Sequence, residues 1–208
     1  EYQLLQDVHH DHILRPIQLT ECEVGPALVY PFEADARRLD HVLHHELAGA
    51  SVDLRLDLVR QLAEALRYAH LRGVTHRALS PWSIEIVKHA DRSHLRIRDW
   101  LSGATATGTH TQTRMTLHGL YAGLASAEQA AVYAAPELLS GQDYDAVASD
   151  LFSLGALTYA IFSGKHPAAD VEELATKCRN GPGLRVSEVV DGTPDKLQEL
   201  IQFATDLS

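Results

Sequence analysis

A stripe of leucines between Ser51 and Gly73 constrains the fold of this chain more than any other feature of its sequence. The apolar positions recur at near-four-residue steps, at Leu54, Leu58, Leu62, Leu66 and Ala69. This period matches one face of an α-helix. Ser51 is a favourable N-cap, and Gly73 stands where such a helix would end. The sequence therefore predicts a long amphipathic helix whose leucine face packs on a core.

Two hairpins are predicted on either side of this helix. The first joins Ile17–Glu21, which alternates with period two, to the apolar run Ala27–Tyr30 through a turn that contains Gly and Pro. The second has alternating apolar residues on both sides of a polar turn, at Ile84, Ile86, Leu95 and Ile97. The apolar residues of Glu1–Val8 have helical spacing, which predicts the end of a helix.

Helices dominate the remaining predicted order. A short helix is predicted for Arg38–Leu47, and two more for Val171–Arg179 and Asp195–Thr205. A very apolar helix ends at Gly164 and must be buried on most sides. Its predicted inner face consists of Leu151, Leu154, Thr158 and Ile161. Residues 102–116, which are rich in Thr, Ser, Gly and Ala, predict a loop.

The net charge of the chain bears on which macromolecules it could bind. The chain has 18 Lys and Arg against 28 Asp and Glu, a formal net charge of −10 over 208 residues. A negative surface repels phosphate backbones, so we expect no nucleic-acid partner for this domain. The hydrophobic fraction of 45% is sufficient for one sizeable core.

The two cysteines, Cys22 and Cys178, lack the spacing of a disulfide framework or a thiolate metal site. A cytoplasmic location is the simplest interpretation. No apolar run approaches the roughly 20 residues that span a bilayer, so no membrane segment is expected in this region. The chain begins at Glu1 rather than Met and stops at Ser208 within a helical pattern, which suggests a piece of a longer polypeptide.

Four short motifs follow one another along this order. They are Val74–Ile84 (VTHRALSPWSI) after the long helix, Asp99-Trp100-Leu101 after the second hairpin, Ala135-Pro136-Glu137, and Ser149–Gly155 (SDLFSLG). In this order they resemble the catalytic loop, the Asp-Phe-Gly and Ala-Pro-Glu motifs and the central helix of eukaryotic-like (Hanks-type) Ser/Thr protein kinases. Through His76–Pro81 the chain also faintly resembles kinase-like proteins of bacterial phage-defence (BREX/Pgl-type) systems.

The resemblance implies an α+β protein-kinase-like fold, with a mainly α-helical larger lobe and the C-terminal remnant of the smaller lobe. Residues 1–33 would be that remnant with the hinge, and residues 34–208 the larger lobe without its final helices. The Gly-rich loop and the ATP-contacting lysine would lie before Glu1, which stands where the family has the lysine's glutamate partner. The hinge would place backbone groups of Pro31 and Glu33 against an adenine.

The same resemblance identifies three replacements in the catalytic loop. In the family an Asp accepts the proton of the substrate hydroxyl, a Lys steadies the transferring phosphate, and an Asn holds magnesium together with a later Asp. The first three positions are Ala78, Ser80 and Ser83 here, whereas Asp99 retains the metal-binding carboxylate. Alanine cannot accept a proton, and the Ser83 hydroxyl would be a weak magnesium ligand.

Other family residues are retained, and the resemblance gives them structural roles. His76, Arg77 and Asp150 would hold the loop backbone and the activation segment. Glu137 would pair with an Arg of the final helices, beyond Ser208. For Asp99 a nucleotide-linked role and that of a solvated turn residue both remain open.

We expect from this pattern a pseudokinase module, catalytically impaired, that acts as a scaffold or allosteric regulator. ATP with magnesium would be its only cofactor, if nucleotide binding is retained at all. Its partner would be a protein or other domains of the same polypeptide. Two alternatives remain open: an active but unorthodox kinase that uses Asp99, and a purely structural domain of a multidomain bacterial protein.

Two weaker signals have competing interpretations. Three histidines at three- and four-residue steps, His41, His44 and His45, could place two imidazoles on one metal ion, although a solvated helix face is the better interpretation. The hydroxyls of Thr105–Thr116 could accept phosphate and switch a docking surface, but a simple linker is favoured.

Overall fold

Helices and short strands alternate along the part of the chain that the structure describes. This computed structural model describes residues 1–89, 92–100, 104–105, 127–140 and 144–207. Its helices are α1 (Leu39–His45), α2 (Val52–His70), α3 (Ala127–Ala131), α4 (Pro136–Ser140), α5 (Ala146–Ser163), α6 (Val171–Arg179) and α7 (Asp195–Thr205). Its strands are β1 (Gln18–Cys22), β2 (Gly25–Val29), β3 (Arg37–Arg38), β4 (Val74–Thr75), β5 (Ile84–His89), β6 (Arg92–Ile97) and β7 (Ala104–Thr105). Short 3₁₀ turns lie at Leu47–Gly49, Pro81–Ser83 and Val186–Glu188.

The described strands form three small antiparallel sheets. β1 pairs with β2, β5 lies between β3 and β6, and β4 pairs with β7. The β1–β2 hairpin confirms the first predicted hairpin, with Cys22 opposite Gly25 across a two-residue turn. Gly25 has a φ of 119°, which glycine adopts without the steric penalty of a Cβ.

The β5–β6 hairpin confirms the second predicted hairpin. All four of its predicted inward residues, Ile84, Ile86, Leu95 and Ile97, are buried. Ile97 also connects the hairpin to the start of the chain. Its N–H donates to His12 O at 2.9 Å, and its carbonyl accepts from Leu14 N at 2.8 Å. Strand β6 therefore contacts residues of both predicted units, 1–33 and 34–208. The division between these units stays a prediction.

Residues 1–8 form hydrogen-bonded turns rather than the predicted helix end. Leu5 N donates to Glu1 O at 3.0 Å as in an α-helix, but Val8 N donates to Leu5 O, three residues back. One α-type bond is too few to continue a helix, because each turn must be nucleated. The apolar spacing nevertheless has its expected effect, since Leu5 and Val8 are buried.

Helix α2 matches its prediction. The Ser51 hydroxyl accepts from Leu54 N at 3.2 Å and caps the helix. The leucine stripe is buried at Leu58, Leu62, Leu66 and Ala69. Gln61, also buried, fixes α2 against β6, because its side chain donates to Ser93 O at 2.9 Å and accepts from Leu95 N at 2.7 Å. Gly73 has a φ of 70°, as expected of a residue beyond a helix C-terminus.

Helix α5 is buried on most sides, as predicted, but its predicted inner face is partly wrong. Thr158 and Ile161 are buried, whereas Leu151 is 42% exposed and Leu154 is only partly buried. The side chains of Phe152, Ala156, Leu157 and Ala160 are buried instead. The period alone could not choose between faces, because nearly every position of this helix is apolar or small. The helix is capped by Asp145 and ends at Gly164 in the left-handed conformation.

By length and hydropathy, α5 alone among the described helices could cross a membrane. However, 61% of it is buried inside the structure. Packing in a protein core therefore accounts for its composition, and the observation is weak support for a membrane span.

Arg55 ties the end of α5 to the turn that precedes α2. Its guanidinium donates to the carbonyls of Ile161 and Phe162 at 2.6 and 2.9 Å, and also to that of Leu47. A weaker bond of 3.4 Å reaches Ala50 O. The last carbonyls of a helix lack intrahelical partners, so Arg55 satisfies groups that the helix leaves open.

The C-terminal helices α6 and α7 have their predicted bounds, and α1 is two residues shorter at its C-terminal end and one at its N-terminal end than predicted. Between α6 and α7, Gly183 has a φ of 85°, and a Cβ there would lie 2.5 Å from Thr205 Oγ1. The predicted loop 102–116 lies outside the described residues except for β7, which pairs with β4.

Candidate functional site

Asp150, on the first turns of α5, anchors the segment that follows β4. Its carboxylate is fully buried and accepts from His76 N at 2.8 Å, from Arg77 N at 2.7 Å and from His70 Nε2 at 2.8 Å. A buried carboxylate is stable only when such donors satisfy it. Arg77 has a φ of 70°, a strained value for a residue with a side chain, and the bond to Asp150 holds its N–H there. Asp150 therefore holds two backbone N–H groups of this segment, and its family role stays a prediction.

His76 is buried as a neutral ring. Its Nε2–H donates to Arg98 O at 2.9 Å, and its Nδ1 accepts from Ala78 N at 3.3 Å, so the two bonds select one tautomer. Burial lowers the pKa of His76, although the Asp150 carboxylate acts in the opposite direction. The ring also lies 4.7 Å from that of Trp100, centroid to centroid. His76 therefore joins the loop to the end of β6.

The Arg77 side chain contacts Tyr144, a residue that the sequence analysis did not single out. One guanidinium nitrogen donates to the Tyr144 hydroxyl, and the guanidinium carbon lies 5.6 Å from the ring centroid. Arg77 thus links the loop to the residue preceding the Asp145 cap of α5.

The three replaced positions lie on this anchored loop. Ala78 is 7% exposed, and Ser80 and Ser83 are also buried. The Ser83 hydroxyl donates to Ser80 O at 2.9 Å and accepts from Ser80 N at 3.0 Å. Both bonds close the 3₁₀ turn Pro81–Ser83. The hydroxyl expected to be a weak magnesium ligand is therefore committed to its own turn.

Asp99 and Trp100 follow β6, and Glu1 lies against them. Asp99 has a φ of 61°, and its side chain is 39% exposed. Trp100 N donates to Glu1 Oε1 at 3.1 Å, and the indole N–H donates to Ile97 O at 3.3 Å. Burial, followed by the charge of Glu1 and a hydrogen bond to it, raises the pKa of Tyr30. Glu1 is thus engaged by Tyr30 and Trp100. Leu101 lies outside the described residues.

The predicted hinge is exposed. Pro31 and Glu33 are on the surface, and Phe32 is 90% exposed. Glu33 Oε1 lies 3.7 Å from Arg96 Nη1. A cleft of about 660 Å³ contains Pro31 and Arg96 together with residues of the chain start such as Tyr2 and Leu5. Asp99 and the catalytic loop do not line it, so this cleft does not join the candidate nucleotide contacts.

Glu137 is partly buried on α4 and takes part in interactions there. It also lines an apolar cleft of about 520 Å³ between α2, α5 and α7. Residues 76–83 do not line this cleft. Its predicted pairing with a later Arg stays a prediction.

Comparison with known proteins decides the family. A family model described as the protein kinase domain matches residues 1–205. The chain belongs to the protein kinase family. The α+β kinase-like fold and the resemblance to eukaryotic-like Ser/Thr kinases are thereby confirmed. Kinase domains in general use ATP with magnesium.

Several curated kinases are similar to this chain. "Probable kinase PglW" of Streptomyces coelicolor is 35% identical over 201 residues, which cover 87% of this chain and 13% of that protein. "Serine/threonine-protein kinase ULK3" of Xenopus laevis is 27% identical, over 100% of this chain and 44% of that protein. "Putative CBL-interacting protein kinase 27" of rice is 26% identical, over 82% and 39%. The kinase domain described here therefore spans less than half the length of these relatives.

Of the two candidate magnesium ligands that the structure describes, the Ser83 side chain does not fit that role. Magnesium requires oxygen ligands in near-octahedral geometry. The Asp99 carboxylate lies 3.1 Å from Arg98 Nε, and the Ser83 hydroxyl is bonded within its own turn. The Ser83 hydroxyl would have to abandon its own turn to bind the metal, whereas the ion pair of Asp99 involves Oδ2 on a side chain that is 39% exposed.

The histidines of α1 lie close together without forming a larger ligand set. The rings of His41 and His45 are 4.5 Å apart, and His44 Nδ1 donates to Asp40 O at 2.7 Å. Within the described ranges, no group of three or more His, Cys, Asp or Glu side chains is arranged to hold a metal ion. Of the candidate phosphorylation segment Thr105–Thr116, all but Thr105 lies outside the described residues.

Sequence reasoning missed the charged residues of the β5–β6 hairpin. Glu85 is buried opposite Arg96 in the antiparallel register, and Arg98 follows directly. The available signal was a charged residue between the buried Ile84 and Ile86, on a strand where polar positions were assumed to face solvent. Over residues 84–87 the side chains on both faces of β5 are buried.

Proposed function

We propose that this domain is a pseudokinase module that works by binding, as a scaffold or allosteric regulator. The observation that carries the proposal is Ala78. It occupies the position of the proton-accepting Asp on a loop whose backbone is held by Asp150 and His76. Because the scaffold is intact, the loss of chemistry is local to side chains that would face a substrate.

The expected losses in catalytic rate favour an impaired domain over a slow but active kinase. Removal of one preorganised transition-state contact from an enzyme lowers its rate by roughly 10²–10³, or about 3 kcal/mol. Here Ala78 cannot accept a proton, Ser80 carries no charge and Ser83 is committed to Ser80 N and O. Even with strong non-additivity, three such losses leave little of a kinase rate of about 1–100 s⁻¹.

The partner that we propose is a protein, or other domains of the same polypeptide. The short span of this domain within its relatives leaves room for such domains. A reducing compartment such as the cytoplasm agrees with the two free thiols, Cys22 at the surface and Cys178 in the core.

Transfer of radiolabelled phosphate by the full-length protein tests the proposal against the alternative of an active kinase that uses Asp99. We expect no incorporation above background from the unchanged protein, and none from Ala78→Asp, because positions 80 and 83 remain replaced. Asp53→Ala, an exposed aspartate in the first turn of α2, is the matched control for Asp99→Ala. Substantial incorporation that Asp99→Ala abolishes and Asp53→Ala leaves intact would overturn the proposal.

A further inference from the structure

Five charged side chains form a continuous chain from the predicted hinge to Asp99. In order they are Glu33, Arg96, Glu85, Arg98 and Asp99. The successive nitrogen–oxygen distances are 3.7, 2.6, 4.0 and 3.1 Å. The charges alternate in sign at every step, so each arginine lies between two carboxylates.

The middle of this ion-pair chain is buried. The side chains of Glu85 and Arg96 are only 10% and 13% exposed. They face each other across β5 and β6 as a cross-strand pair. Removing one member of a buried pair leaves an uncompensated charge in a poorly solvated place, which is strongly unfavourable. The middle is therefore an ion pair shielded from solvent, although Arg96 Nε and Nη2 make no hydrogen bond there, whereas Glu33 and Asp99 at its ends are partly exposed.

The backbone of Arg98 is held by two hydrogen bonds, whereas its side chain has ion-pair contacts and its Nε makes no hydrogen bond. Arg98 N donates to Ser83 O at 2.8 Å, and Arg98 O accepts from His76 Nε2 at 2.9 Å. Both partners belong to the catalytic loop. The loop thus sets the position from which the guanidinium reaches Asp99 and Glu85.

The two ends of the chain are the residues that a nucleotide would have to reach. A ligand that extends from Glu33 to Asp99 must lie along Arg96, Glu85 and Arg98 or displace them. A purine base is bound mainly by apolar surface, and magnesium by free carboxylate oxygens. This strip offers a buried ion pair and a carboxylate already neutralised by Arg98.

We propose that the ion-pair chain takes the place of magnesium and nucleotide in this domain. Arg98 is a built-in cation for Asp99, and the Glu85–Arg96 pair fills the strip towards the hinge. The domain then keeps its hinge and the Asp99 segment connected without ATP or metal. The inference rests on the proposed function, since a permanent substitute suits a domain that transfers no phosphate.

Mn²⁺ binding followed by electron paramagnetic resonance, with Mn²⁺ as the probe for magnesium, tests this in the full-length protein. We expect Asp99→Asn to leave Mn²⁺ binding unchanged. We expect Arg98→Met to create a site with roughly tenfold or greater gain in affinity, because it removes the cation beside the carboxylate. Adding Asp99→Asn to Arg98→Met should abolish that site. Arg60→Met removes an exposed ion-paired arginine from α2 and is the matched control.

Two outcomes would overturn the inference. One is Mn²⁺ or fluorescent-ATP binding by the unchanged protein that Asp99→Asn abolishes. The other is a folded Arg98→Met protein, with the melting temperature of the Arg60→Met control, that gains no site. If Arg98→Met does not fold, Arg98→Gln is used in its place. The comparison of Mn²⁺ binding by the unchanged protein and by Asp99→Asn tests the inference in either case. Asp99-dependent nucleotide binding without phosphate transfer would end this inference and leave the pseudokinase proposal standing.

Discussion

The region around Asp150 and the region around Asp99 support the same loop by different means. Asp150 is fully buried and accepts three hydrogen bonds, two of them from loop backbone N–H groups. Asp99 is partly exposed and has Arg98, its own neighbour in sequence, as its ion-pair partner. One carboxylate holds the protein's backbone, and the other is neutralised by a side chain.

The contacts of Asp150 account for two of the family residues that the domain has kept. A residue that holds backbone cannot change without disturbing the fold, so His76 and Asp150 stay. Ala78 N donates to His76 Nδ1, and the Ser83 hydroxyl accepts from Ser80 N. The backbone of the loop is therefore held by hydrogen bonds with Ala78 and Ser83 in place.

Replacement of Asp150 should produce the largest effect. Asp150→Asn removes the charge that satisfies His76 N, Arg77 N and His70 in a buried place, and we expect a loss of roughly 3 kcal/mol in local stability. Hydrogen exchange of peptides covering 74–83 in the full-length protein measures it. Asp99→Asn is the matched control and should lower stability by less than about 1 kcal/mol, since its pair is exposed and Asn tolerates the left-handed backbone. Equal effects of the two variants would remove the contrast.

Replacement of Glu85 should have an intermediate effect. Glu85→Gln leaves Arg96 with a weakened buried partner, and we expect a loss of roughly 2 kcal/mol. Glu64→Gln is the control, because Glu64 forms an exposed pair with Arg60 on α2 and should contribute less than about 0.5 kcal/mol. Exchange rates of peptides covering 84–89 and 92–97 provide the measurement. If both variants behave alike, the ion-pair chain is not a structural element.

Acidification should produce the smallest effect, and it acts on the Asp150 side. Burial lowers the pKa of His76 below its usual value of 6.5, so the ring stays neutral in the folded state while the unfolded chain takes up a proton. The unfolded state then binds more protons, and stability falls as the pH drops below 6.5, by at most about 1.4 kcal/mol per pH unit for this group.

Melting of the full-length protein between pH 7.5 and 5.5 tests this dependence. His76→Gln should flatten the decline, whereas His41→Gln on the exposed face of α1 should not. Burial also lowers the pKa of His12 and His166, so part of the slope persists in the variant. An unchanged slope in His76→Gln would show that His76 is not held neutral.

Local sequence patterns were sufficient to predict an element where all the residues that determine it lie within one segment. Helices α2, α6 and α7 and both hairpins follow from period, caps and glycines that are adjacent in sequence. The replaced loop positions were equally readable, because they belong to one contiguous motif. The buried face of α5 could not be predicted in this way. Nearly every position of this helix is apolar or small, so the sequence shows no period that distinguishes one face from another.

Contacts between distant segments could not be predicted from the sequence. The ion-pair chain joins residues 33, 85 and 96–99 through the register of β5 and β6, which a linear pattern does not reveal. The contact of Arg77 with Tyr144 likewise joins segments 67 residues apart. These contacts decide whether a retained or replaced residue is free to meet a ligand.

Arg55 couples the local unfolding of two segments of the domain. Its guanidinium satisfies carbonyls of the turn at residues 47–50 and of the last turn of α5, segments more than a hundred positions apart in sequence. Neither segment can fray alone without leaving the shared cation short of acceptors. Protease cleavage and solvent access at these two places should consequently rise together, as a single opening event rather than two.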